Sequence, residues 1–235
     1  MMATATVDRQ TTKRRSSASE LTRIKIMEAA EILFAERGID GVALREIAVA
    51  ADQGNNTAVQ YHFGSKERLV YGIFDYRTNQ FEAQRAAMLD RAEAAGQLSN
   101  AKVLLQILCL PHLSIADDKG AHPYSAFLAQ YLTRSRADGM AHPYDDPEVP
   151  VPALRAVRRL IVERVPYVPP DVLRLRVGLC KLMFCNMLMR RDSGFPRYDE
   201  GIALPVLVDD TLEQMTAALT APYRHGGPDL FTPLA

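Results

Sequence analysis

Apolar residues recur along most of this chain at intervals of three and four, the period of an α-helix buried along one side. Ile26, Ala29, Ala30, Leu33 and Phe34 form the first stripe, and Arg37-Gly38 follows it directly. A basic last turn ahead of a glycine is the expected end of such a helix, with the glycine as a left-handed cap. Leu44, Ile47, Ala48 and Ala51 form a second, shorter stripe that breaks at Asp52-Gln53-Gly54. The chain restarts at Asn55-Asn56, where an asparagine can accept a hydrogen bond from an orphan amide of the next helix. In that third segment Val59 and Phe63, four apart, point inward, which leaves Asn56, Thr57, Gln60 and Tyr61 outward. Two short helices joined by a Gly-containing turn make a helix-turn-helix, a unit that can lay one helix in a DNA groove.

Beyond Gly64 the helical period continues. Ser65, with Glu67 in the first turn, opens a fourth helix that carries Leu69, Val70, Ile73 and Phe74 and runs to about Ala95. At about 30 residues it would span roughly 45 Å, long enough to belong to two domains. Further helices are predicted over Ala101–Ile115, Ser125–Ala137, the stretch of Leu154, Val157, Leu160 and Ile161 closed by Val165-Pro166, Pro170 to Ser193-Gly194, and Val206–Leu219. No region alternates as a strand does, so the fold class is all-α. The expected organisation is a basic disordered arm over 1–20, a helix-turn-helix domain over 21–67, and a C-terminal helical domain over 68–235. The boundary falls inside the long helix.

Overall charge is uninformative, since Lys plus Arg and Asp plus Glu both number 28. Its local distribution says more. Arg9, Lys13, Arg14, Arg15, Arg23 and Lys25 face only Asp8 and Glu20 in the first 25 residues, a Ser/Thr-rich basic stretch suited to disorder and to phosphate contacts. The first residues lack the apolar run of a secretory signal, and no window is apolar enough to span a membrane. Cys109, Cys180 and Cys185 have neither disulfide-framework nor zinc spacing, which fits a reducing, cytoplasmic compartment.

Three motifs then converge: Ile26-x-x-Ala29-Ala30-x-x-Leu33-Phe34-x-x-x-Gly38, Arg45-Glu46-Ile47-Ala48, and Tyr61-His62-Phe63-x-Ser65-Lys66-Glu67. Together they resemble the tetracycline-repressor (TetR) family of bacterial regulators over roughly residues 22 to 75. The sequence departs from the usual pattern at Val42-Ala43, which replaces a threonine pair, in a turn one residue longer, and at Gln60, where tyrosine is common. The resemblance implies that three N-terminal helices bind operator DNA and that Arg45 and Lys66 clamp its backbone. It also implies that the last two helices build a two-fold dimer, that a ligand cavity lies beside the penultimate helix, and that an effector tilts the helix from Ser65.

The candidate sites follow. Gln60 and Asn56 are suited to bidentate contacts with adenine. Tyr61, His62 and Lys66, with Arg45, Asn55 and Thr57, are suited to positioning the phosphates. For the effector, Leu104, Leu108, Phe127, Tyr131, Met183 and Met187 offer an apolar and partly flexible lining, with His112, Tyr131 and Asn186 as polar groups. Each also has a plainer reading as a satisfied core residue. The helix over 170–192 is apolar almost all round, which predicts full burial; the resemblance implies that one face meets a partner subunit and the other lines the pocket.

Catalysis finds no support. His112, His122 and His142 lack metal-ligand spacing, Cys180 and Cys185 sit in an apolar helix, and no nucleophile elbow or phosphate loop occurs. No cofactor and no metal are expected. The partners are double-stranded palindromic operator DNA, an unidentified small and mostly apolar effector, and a second copy of the chain. A non-specific or architectural DNA-binding protein, or a ligand-binding dimer without operator reading, are the alternatives.

Overall fold

The computed structural model describes residues 4–54, 57–136, 138–193 and 201–223, with side chains from Ser17 onward. Among the described residues there are helices and no strands. They run α1 (Thr4–Arg37), α2 (Leu44–Ala50), α3 (Thr57–Phe63), α4 (Lys66–Ala94), α5 (Ala101–Cys109), α6 (Pro123–Gln130), α7 (Pro152–Arg164), α8 (Pro170–Asp192) and α9 (Leu204–Thr220). None is long and apolar enough to cross a membrane.

The punctuation follows the sequence closely. Gly38, at φ 74°, donates its amide to Phe34 O at 2.9 Å and ends α1 as a left-handed cap. Ser65 Oγ accepts the Arg68 amide at 3.2 Å and starts α4. In the turn between α2 and α3 the left-handed residue is Asp52, at φ 55°, whose short polar side chain tolerates that conformation. Gln53 N then reaches back to Ala48 O at 2.8 Å.

Three departures have local causes. α1 begins at Thr4, where composition suggested a disordered arm over 1–20. Extending an existing helix costs only propagation, and the packed half around Ile26 and Phe34 supplies the nucleus. The helix expected over 101–115 tightens into a 3-10 turn at Leu110–Ser114, because Pro111 cannot donate to the α ladder. The helix expected over 125–137 starts at Pro123 and widens to a π-turn at Tyr131–Ser135, its expected end Ala137 lying outside the described residues.

α1 packs on α2, α3, α4 and, most extensively, α6. One hydrophobic core therefore runs from Ile26 and Ile47 through Phe74 and Phe127 to Phe184 and Leu212. Phe127 links the halves, its ring centroid 6.1 Å from Phe34 and 5.3 Å from Phe74. Gly72 lets α3 approach α4: a Cβ there would lie 2.9 Å from the Phe63 ring. α7 is capped from outside itself. Val151 offers no side-chain oxygen, and Glu82 of α4 accepts the Ala153 and Leu154 amides at 2.8 and 3.1 Å.

Candidate nucleic-acid interface and effector region

α3 buries Val59 and Phe63 and leaves Thr57, Gln60 and Tyr61 exposed, Tyr61 at 81% of its surface. Arg45 is exposed on α2. Asn55 and Asn56 lie outside the described residues. His62 is half-buried with its ring 5.1 Å from Tyr61, and burial, with the nearby Arg23 charge, lowers its pKa and favours neutral imidazole. Lys66 is half-buried, and its Nζ donates to Ile39 O at 3.0 Å and Asp40 O at 3.4 Å. That ammonium fixes the α1–α2 connection to the start of α4.

The departure at Val42-Ala43 has a structural counterpart. Val42 is buried, and the N-cap Ala43 has no side-chain hydrogen bond to give. Glu46 acts instead, accepting the Ala43 amide at 2.8 Å and Arg37 Nη1 at 2.7 Å. These bonds, the backbone one first, lower the Glu46 pKa. An open polar cleft of about 400 Å³ runs beside α3, lined by Gln60, Tyr61 and His62 together with Arg23, Arg68 and Asp75. Arg68 was not singled out from the sequence, and Arg23 only as one charge of the basic N-terminal stretch. Their signal there is a basic residue flanking the motif at either end.

Two links, one buried and one half-buried, tie α1 to α4 behind this surface. Arg77 Nε and Nη2 donate to the two Glu31 carboxylate oxygens at 2.7 and 3.0 Å. Tyr76 Oη donates to Glu28 at 3.3 Å.

In the C-terminal helices the expected pocket residues meet mainly as core. Leu104, Leu108, Phe127 and Tyr131 are fully buried and His112 nearly so. The polar groups have partners: Tyr131 Oη donates to Met140 O at 2.9 Å, His112 Nδ1 pairs with Ser125 Oγ at 3.1 Å, and Asn186 Nδ2 donates to Leu182 O at 2.9 Å. Met183, Asn186 and Met187 are half-buried on α8. Aromatic rings surround His112, with Phe81 at 5.0 Å, Tyr124 at 5.4 Å and Phe184 at 6.2 Å, and burial drives its pKa well down.

Full burial of α8 does not hold in the single chain. Leu173, Cys180, Phe184, Cys185 and Leu188 are buried, whereas Leu175 and Leu179 are 62% and 53% exposed. Ile202 and Val206, just before and within α9, are exposed as well. The apolar circumference is real, but the chain's own helices cover only part of it. All three cysteines are free and buried; burial pushes Cys109 and Cys185 up to about 12 and Cys180 to about 11, so the thiolate needed for chemistry is suppressed. Among the described residues no group of three His, Cys, Asp or Glu is placed to hold a metal ion.

Comparison with known proteins places the assignment on the N-terminal helices. The family described as "Bacterial regulatory proteins, tetR family" matches residues 26–71. No curated protein sequence matches. Among solved structures, an HlyIIR mutant protein with a thrombin-site linker aligns at 17% identity and TM-score 0.39, covering 86% of this chain and 98% of that one. AibR in complex with isovaleryl coenzyme A and operator DNA aligns at 18% identity and TM-score 0.38, covering 86% and 100%. These distant likenesses add no argument. Residues 26–71, which build the helix-turn-helix, are similar to the DNA-binding part of the TetR family of bacterial regulatory proteins.

Proposed function

We propose that this protein is a one-component transcriptional repressor that binds palindromic operator DNA as a homodimer and is released by a small effector held among its C-terminal helices. The DNA-binding unit is residues 21–67 and the effector and dimerisation unit 68–235. The observation that carries the reading is α3: seven residues with Val59 and Phe63 buried and Thr57, Gln60 and Tyr61 exposed. Such a helix has no packing role for its outer face, and its side chains suit base edges and phosphates.

The uncovered apolar side of α8 and the start of α9 supports dimerisation, because exposed Leu175, Leu179, Ile202 and Val206 gain by burial against a second copy. Two-fold symmetry is also what a palindrome requires, with half-sites one turn, about 34–36 Å, apart. An effector changes operator affinity only if it binds one spacing of the two recognition helices better than the other. The core joining α6 to α1 and the Glu31–Arg77 pair supply the mechanical connection.

The test is selection of bound duplexes from random DNA by the purified chain at about 150 mM salt, where non-specific phosphate attraction is partly suppressed. An enriched palindrome is expected. Gln60→Ala should relax preference at one base step, costing about 1–3 kcal/mol there. Folded protein that enriches nothing would sink operator reading and favour a non-specific DNA-binding protein.

A further inference from the structure

Arg85 is the least satisfied charge in the interior. It is 3% exposed, on the inward face of α4. Its Nε and Nη1 are buried without a hydrogen-bond partner, and Nη2 has only a long bond to Leu108 O at 3.4 Å. The carboxylate beside it, Glu82, stands 3.8 Å from Nη1 and is already committed to the first amides of α7. Turning Glu82 toward Arg85 would uncap α7.

Other positive charges point the same way. Arg158 of α7 is close enough to lower the proton affinity of both Arg85 and Lys181 of α8, and Arg85 lowers that of Lys181, although burial is the largest cause for both. The groups that offset Lys181 are the Cys109 and Cys185 thiols, which are neutral. Around the guanidinium stand aromatic walls: Phe81, with the Arg85 guanidinium carbon 5.1 Å from its ring, then His112 stacked on Phe81 and Tyr124 edge-on to it. Buried guanidinium groups are ordinarily paired and fully hydrogen-bonded, because desolvation is otherwise uncompensated.

We propose that Arg85 anchors the carboxylate of the effector, a small organic acid whose apolar body lies against Phe81, Tyr124 and Phe184. This assignment rests on the effector reading above and names its chemistry. A planar guanidinium whose Nε is free and whose Nη2 is held only by a long bond can offer that edge to a carboxylate in two-point contact, whereas an ammonium offers only a point charge. Phe81, Tyr124 and Phe184 are buried, so binding needs local opening, and that cost lowers the apparent affinity. Met183 and Met187, half-buried on α8, are side chains that can move aside.

The test is thermal unfolding of the full chain with matched acids and amides: octanoate against octanamide, phenylacetate against phenylacetamide, and inorganic phosphate. At least one acid should raise Tm saturably while its amide does not, and Arg85→Met should abolish that shift. Arg85→Met alone should raise the unliganded Tm by about 2–4 °C, because it removes a buried cation whose neighbouring carboxylate, Glu82, is committed to α7. A lower Tm in Arg85→Met would make Arg85 a structural cation and overturn the assignment. So would equal shifts in both proteins, amides as effective as acids, phosphate alone acting, or no response from the wild-type chain to any acid. The acid–amide comparison needs no variant, so it decides even if Arg85→Met fails to fold. DNA selection is read separately: acid binding through Arg85 without palindrome enrichment would sink the operator reading and leave this one standing.

Discussion

Replacing Arg77 with methionine isolates one interaction that joins the DNA-binding helices to the long helix. The Glu31 and Arg77 side chains are 1% and 8% exposed and share two hydrogen bonds at 2.7 and 3.0 Å. Hydrogen bonds to charged groups contribute about 1.5–3 kcal/mol each, and stranding one partner of a buried pair costs about 3–5 kcal/mol. Methionine keeps most of the stem volume, so the loss is electrostatic and not a cavity. For a chain of this size the expected fall in Tm is roughly 6–20 °C. Burial already holds the Glu31 pKa above the ordinary value, against the lowering by Arg77, and removal of Arg77 raises it further. A raised folded-state pKa favours the fold below the unfolded pKa and loses that contribution as pH rises through the folded value. The Arg77→Met penalty should therefore be largest near pH 7.5 and shrink toward pH 5, read by urea unfolding at each pH. Glu31→Leu with Arg77→Met should recover most of the loss, since apolar replacement of both partners is often neutral or stabilising. A single variant within about 1 kcal/mol of wild type at pH 7.5, a penalty independent of pH, or a double variant as weak as the single would each refute the reasoning.

Other outcomes follow from the same geometry. Gly72→Ala forces its new methyl to within 2.9 Å of the buried Phe63 ring; overpacking of about 1–3 kcal/mol exceeds the roughly 1 kcal/mol gained in helix propensity, so denaturation should show net destabilisation and operator binding should weaken. Lys181, held at about 7 mainly by burial, carries fewer protons folded than unfolded, so stability should rise between pH 7 and about 9. Lys181→Met should flatten that rise in urea titrations; above about 9 the Cys109 and Cys185 thiols, still protonated in the fold, reverse the slope. Leu175→Glu with Leu179→Glu should give monomers in sedimentation, and a surviving dimer would move the interface off α8.

Several elements were legible because they depend on near neighbours alone. The left-handed cap at Gly38, the Ser65 cap, Pro170 at a helix start, and the inward pair Val59 and Phe63 follow from backbone dihedral limits and the 3.6-residue period. The motif over 26–71 was readable for the same reason, since a three-helix unit of local contacts repeats the same packing wherever it occurs. Even there the sequence leaves one detail of the turn open, because either Asp52 or Gly54 can take a positive φ and only the closing hydrogen bonds choose.

Long-range packing decided the rest. Nothing in local periodicity pairs Glu31 with Arg77, sets Glu82 at the start of α7, or brings Phe127 against Phe34 and Phe74. Lys66 looked like a phosphate contact from its motif, yet the fold turns its ammonium onto the Ile39 and Asp40 carbonyls. The apolar ring of α8 was visible, but which side the chain itself covers depends on α6 and α9. Arg85 shows the limit most clearly: as a letter in an exposed-looking helix it is ordinary. Only the closed packing of α4 against its neighbours removes its water and leaves two donors without a partner. Sequence determines what each segment prefers within a few turns, whereas burial and charge pairing between distant segments exist only once the helices have met.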